Sequence, residues 1–417
     1  DKDKKKKDNQ TDDKNMDDIA VGDDGLATNG KLNNNKKGNN KQEVDDGYVK
    51  TEIPWSLSVS YSVRYGAGSE FDYNKMYYKM VFTHNLSFSG RGTIDGNGVA
   101  FMGAELSDSY ELKPVTTFDP RPHVLTLYGC TQVNLRDITV REGAYWTVHF
   151  VGCDDVVVDG INLLNNLKIR NGDGIDIDHS RNVRISNCHI TSGDDCICLK
   201  NRREFAEYGS CHDITVTNCT MTSRSCAVKI GSENMDSIYN VTIANCIISA
   251  SNRGLGIQNR DEGTITDVSF SNIIMDCRLW SDVWWGKAEP IYVTSYPRAD
   301  GNNKDANWRF PKGQTHGRSG EVSRIFFTDI FATSENGCFI GGDTDTKVNN
   351  ITLNRVRLNL RPQTPYKGGV YDKRPCRDEG FVRDKVYGLY VEKASAVTVD
   401  GLTVQAAPGI DYGGERN

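Results

Sequence analysis

The chain has 417 residues, a net charge of −6, 40 glycines, 11 prolines and a 37% hydrophobic fraction. An acidic balance offers no basic footprint for a nucleic-acid backbone, and no apolar run is long enough to span a bilayer, so neither nucleic acid nor membrane is an expected partner. Few apolar residues and many glycines suit a solenoid, whose core is a thin column and whose coils each need several turns.

Residues 1–50 are dominated by Asp, Asn, Lys and Gly. Such a stretch buries too little apolar surface to offset the entropy of ordering it. The expected organisation is a polar segment over 1–50, with no function assigned, and one body over 51–417.

From about residue 80 a repeat appears. Asn182-Val183-Arg184-Ile185-Ser186-Asn187-Cys188 is one copy; Asp213 to Cys219, Asn240 to Cys246 and Asp267 to Ile273 follow it. The aligned Asn187, Asn218, Asn245 and Asn272 recur at intervals of 31, 27 and 27 residues. Degenerate copies stand at Thr131–Asp137 and Asp155–Gly160, and weaker ones continue to Ala396–Gly401. Apolar and polar residues alternate, which marks half-buried strands. No helical period is sustained between the copies, so βαβ units are not expected. Short strands repeating without helices stack as coils of a solenoid. The expected fold is therefore all-β, a right-handed single-stranded parallel β-helix. The recurring asparagines should occupy turns and hydrogen-bond from coil to coil.

The chain has 12 cysteines. Cys188, Cys219 and Cys246 recur at one repeat position, where cysteines stack inside a solenoid as small hydrophobes. Cys196 and Cys198 lack the second pair that a zinc site needs. No metal and no cofactor is expected.

One coil departs from its neighbours. Asn171-Gly172-Asp173-Gly174-Ile175-Asp176-Ile177-Asp178 precedes Ser192-Gly193-Asp194-Asp195 by about one coil. Strands one coil apart lie about 4.8 Å from each other, so Asp173, Asp194 and Asp195 should converge. Crowded carboxylates repel, which raises at least one pKa. Glycosidic hydrolysis needs that pairing of one protonated and one ionised carboxyl. Two other readings fit the same residues: a calcium loop, and a solvated strand edge on which Asp176 and Asp178 alternate with Ile175 and Ile177.

Five blocks in order resemble the polygalacturonase-like glycoside hydrolases of family 28. They are Gly92-Thr93-Ile94-Asp95-Gly96-Asn97-Gly98, Arg121-Pro122, Ala144-Tyr145-Trp146-Thr147-Val148-His149, Asn171 to Asp176, and Gly193-Asp194-Asp195-Cys196. The resemblance implies an inverting hydrolase with Asp194 as general acid, and with Asp173 and Asp195 holding and activating water. His149 would pack near the cleft wall. Two departures stand out. The family's G-H-G block aligns with Ser225-Cys226-Ala227, so Cys226 replaces its histidine. Its R-I-K block aligns with Gly256-Ile257-Gln258, so both cations that would clamp a uronate carboxylate are gone. Lys229, Arg253 or Arg260 could supply the charge instead.

Candidate substrate-binding residues are Cys226, Lys229, Glu233, Gln258, Arg260, Trp284, Trp285 and Tyr296. The tryptophans stand in a Gly-bounded loop, and indoles stack on apolar sugar faces. The expected partner is a polysaccharide or oligosaccharide, pectin-like but not plain polygalacturonate. The protein is expected to be a monomer that is secreted, periplasmic or held at the cell surface. A β-eliminating lyase and a non-catalytic glycan binder are the competing functions.

Overall fold

Alternation along the repeat becomes the inside and outside of a coil. In the strand Ser237–Ser251, Val241, Ile243, Cys246 and Ile248 point inward, while Thr242 and Asn245 face solvent. Two outward positions in succession, Ala244 and Asn245, let Ile243 and Cys246 both face the core. Asn245 makes this possible by adopting a left-handed backbone with φ 57°, which asparagine tolerates better than most residues. Asn187, Asn218 and Asn272 adopt the same conformation at φ 57°, 55° and 52°.

The expected ladder is present. The Asn272 side-chain amide donates to Asn245 Oδ1 at 2.8 Å, and Asn218 donates to Asn187 Oδ1 at 3.5 Å. Asn245→Ala should therefore destabilise the protein by about 1 kcal/mol. Asn245→Gly should cost less, because glycine keeps the turn; urea denaturation midpoints compare the two.

In this computed structural model, residues 57–60, 77–81, 84–106, 111–115, 121–298, 318–376 and 380–416 are described. All of them fall in one unit, Ile53–Asn417. The polar segment 1–50 lies outside the described residues. The architecture is the expected right-handed parallel β-helix, with sheets of 12 and 16 strands among the described residues.

Nine consecutive strands of the smaller sheet concern the site. They are β1 (Leu125–Tyr128), β2 (Val148–Val151), β3 (Ile175–Asp178), β4 (Ile197–Asn201), β5 (Cys226–Asn234), β6 (Arg253–Asn259), β7 (Ile291–Ser295), β8 (Cys338–Gly342) and β9 (Val386–Glu392). Each is parallel to the next. Inward residues such as Val148, Ile175, Ile197, Val228, Leu255 and Ile291 stack into one core column. Cys188, Cys219 and Cys246 belong to that core, and all twelve cysteines are buried. Among the described residues no helix is long and apolar enough to cross a membrane.

Candidate active site

Two turns build the centre. Asp173 precedes β3, and Asp194 and Asp195 precede β4. Ile175 pairs with Ile197 across these strands, and the Gly174 amide donates to the Asp195 carbonyl at 2.8 Å. Asp173 and Asp195 are thereby neighbours on adjacent coils. Close stacking of the turns requires glycine at 174, where a Cβ would collide with the Cys196 carbonyl.

A carboxylate oxygen of Asp173, one of Asp195 and Cys198 Sγ lie within 4.8 Å of one another. Asp195 is fully buried. It accepts hydrogen bonds from Lys229 Nζ at 2.7 Å, Ser225 Oγ at 3.0 Å and the Cys226 amide at 3.2 Å. Half-buried Asp194 accepts from the Asn171 amide at 3.2 Å. Asp173 Oδ1 is buried with no hydrogen-bond partner.

Behind them lies a layer of charge that the sequence reading did not anticipate. Lys200 Nζ sits 3.4 Å from Asp176 Oδ1, 3.6 Å from Glu233 Oε2 and 4.0 Å from the Trp146 ring centroid. Asp178 accepts from His149 Nε2 at 3.3 Å and from the Arg202 amide at 2.9 Å. Asp176 and Asp178 are fully buried, so they do not line a solvated edge. His149 is buried beside Trp146 and His123 rather than exposed in the cleft.

Burial and the crowding of like charges set the protonation states. Burial, and after it the charges of Asp176 and Asp194, push the Asp173 carboxyl well above its ordinary range. Burial and the Asp195 charge push Asp194 up to about 6. Burial carries Asp176 up to about 7, against the pull of Lys200. Glu233 goes the other way: burial alone would raise it, but Lys200, Arg202, Arg298 and Lys229 together hold it far below the usual carboxylate range. The cluster thus contains carboxyls that keep a proton near neutrality beside others that do not.

Asp173, Asp195 and Cys198 could be considered as ligands for a cation. Lys200 and Lys229 already supply the positive charge there, and burial holds the Cys198 thiol well above its ordinary value.

All three aspartates line a cleft of about 560 Å³. Of the sequence-derived candidates, Cys226, Lys229, Glu233, Gln258, Trp284 and Trp285 line it as well. Arg260 and Tyr296 are not brought there. Arg260 is fully buried, and its guanidinium donates to Asn259 O, Thr294 Oγ1, Tyr292 Oη and Lys373 O. Tyr296 is buried in an aromatic cluster with Tyr292, Phe339, Tyr371 and Tyr390. Tyr292, Arg298, Lys200 and Arg202 stand in the lining instead. For Lys200 a signal existed: it alternates with Cys198 on β4, opposite Asp178. Arg298 carried none.

The missing R-I-K cations have a structural counterpart. A Cβ at Gly256 would sit 2.8 Å from Cys226 Sγ and 3.9 Å from Arg253 Cδ. The Arg253 side chain therefore runs beside the space a residue-256 side chain would take. Its charge is already matched by Glu289, 3.0 Å away. Gln258 donates to the Arg374 carbonyl at 2.5 Å.

A model described as glycosyl hydrolases family 28 matches residues 38–278. The chain is similar to a probable polygalacturonase of Vitis vinifera, 27% identical over 183 residues, which cover 40% of this chain and 34% of that protein. It is also similar to an α-L-rhamnosidase of Aspergillus niger, 25% identical over 185 residues, 43% of this chain and 39% of that one. The matches thus span little more than a third of these relatives. Among solved structures, a family 28 exopolygalacturonase of Yersinia enterocolitica shares the fold, with a TM-score of 0.53 and 17% identity over 83% of this chain and 64% of that one. With more than half of its length matched by the family model, the chain belongs to the glycosyl hydrolases of family 28.

Proposed function

We propose that this chain hydrolyses a glycosidic bond in a pectin-like polysaccharide, with inversion at the anomeric carbon, and that plain polygalacturonate is not its preferred substrate. One observation carries the hydrolytic reading. A carboxyl that holds its proton to about pH 6, Asp194, stands beside a carboxylate held by a lysine, Asp195, on the wall of an open cleft. Asp194 protonates the leaving oxygen. Asp195 takes the proton of the attacking water, and Asp173, one coil away, fixes that water in place. The substrate preference rests on Gly256 and Gln258, which carry no charge where the family would clamp a uronate, and on Arg253, whose charge is matched by Glu289. Such a polysaccharide lies outside the cell, which fits a secreted or surface-held monomer.

The deciding experiment is a panel of galacturonan, rhamnogalacturonan and neutral glycans, with product anomers followed by NMR. Inverted products from a glycan other than galacturonan are expected. Retained configuration, or unsaturated chain ends, would overturn the mechanism.

The pH profile follows from the acid. Asp194 must be protonated to work, so kcat/KM should fall about tenfold per pH unit on the alkaline side of pH ~6. A rate still rising at pH 8 would remove Asp194 from the acid role.

A further inference from the structure

The segment Val370–Cys376, remote in sequence from the aspartates, lies across the outer face of the site sheet. Its first residues pair antiparallel with Phe381–Arg383. Three of its successive carbonyls are anchored by side chains from β6, β7 and the turn after β6. Asp372 O accepts from Arg253 at 3.1 Å and from Tyr292 Oη at 2.6 Å. Lys373 O accepts from Arg260 at 2.8 Å, and Arg374 O accepts from Gln258 at 2.5 Å. Arg374 then ties the segment to the tryptophan loop. It donates to Val283 O at 3.2 Å and Trp284 O at 3.3 Å, and its guanidinium lies 5.4 Å from the Trp285 ring centroid. Asp372, fully buried, pairs with Arg374 at 2.8 Å and accepts from the Gly286 amide at 3.3 Å.

Every polar side chain on the outer face of β6 is thus committed to this strap. Pro375 and the two tryptophans form the cleft wall on that side. The strap begins two strands beyond β4, roughly 10 Å from the aspartates at the usual inter-strand spacing. That length holds a short stub of sugar and not a continuing polymer. On the other side, half-buried Asn171 and exposed Arg170 border the cleft.

We infer that the strap 370–376 and the loop 283–285 close one end of the substrate groove, so that the site accepts one terminus of a glycan chain and releases short products from it. This rests on the hydrolase reading for the release step but not for the closure itself.

The test uses a long pectic oligosaccharide, either rhamnogalacturonan or galacturonan, in three forms: uncapped, and carrying a bulky fluorophore at one end or at the other. Binding is measured on Asp194→Asn and cleavage on the unaltered chain. Closure predicts that one cap weakens binding at least tenfold and blocks cleavage, while the other leaves both unchanged. Equal binding of both capped forms, with internal cuts from the first minutes, would overturn it. Asymmetric binding without any cleavage would sink the hydrolase reading and leave the closed groove standing.

Arg374→Ala, checked for folding by its thermal transition, supplies a second readout. It should raise the ratio of internal to terminal cuts at least threefold. A folded variant with an unchanged product size would place the barrier elsewhere.

Discussion

Asp194→Asn is expected to lower kcat by roughly 10³-fold while KM and the dissociation constant for oligosaccharide change little, because general acid catalysis contributes about 10²–10⁴. The amide keeps the shape and the contact with the Asn171 amide but has no proton to give the leaving oxygen. The same substitution should stabilise the fold at pH 8. In the folded chain the carboxyl is raised from 3.8 to about 6. Its favourable contribution is complete below pH ~4 and is lost as the pH rises through about 6. Removing a charge that the site resists should be worth on the order of 2 kcal/mol at pH 8 and little at pH 4. Thermal melts at the two pH values, set beside initial rates, separate a catalytic acid from a structural carboxyl. If the variant is less stable than the original chain at pH 8, the strain assigned to Asp194 is absent.

Lys229→Met should be the most damaging single change to stability. Asp195 is fully buried, and Lys229 is its cationic partner at 2.7 Å. Breaking a buried pair on one side costs about 3–5 kcal/mol, since an uncompensated charge is left behind. The Ser225 hydroxyl and the Cys226 amide remain as neutral donors and cannot replace it. Asp195 would then lose the contact that holds it in place, and turnover should fall even in molecules that stay folded. The double change Lys229→Met with Asp195→Asn removes both charges and should recover most of the stability, but no activity. Denaturant titration of the two single variants and the double variant measures the coupling. Additive effects would mean that the pair is not energetically linked.

The repeat was legible because a β-helix is nearly one-dimensional. Each coil contacts the coil before and after it, so a position in one repeat predicts its neighbour in the next. The Asn187–Asn272 turns, the stacked cysteines and the convergence of Asp173 with Asp195 all follow from that register. Glycines at the two aspartate turns carried further information, because closely packed backbone has no room for a Cβ. Lys200 obeys the same logic and was open to the same reasoning. Its place opposite Asp178 follows from strand alternation on the outer face.

What the sequence could not carry depends on contacts that ignore the register. Arg260 sits near the R-I-K position along the chain, yet it faces Lys373, 113 residues downstream, and Tyr296 packs against Tyr371 and Tyr390 instead of entering the cleft. Arg253 meets Asp372 across 119 residues and Gln258 meets Arg374 across 116. No periodicity links those pairs. Local alternation determined the coil, its turns and the acidic cluster, because each is settled between adjacent strands. The tertiary structure alone decided which cations remain free, which carboxyls keep a proton and where the groove stops. Those properties depend on burial and on charges brought together by loops that leave the coil and return.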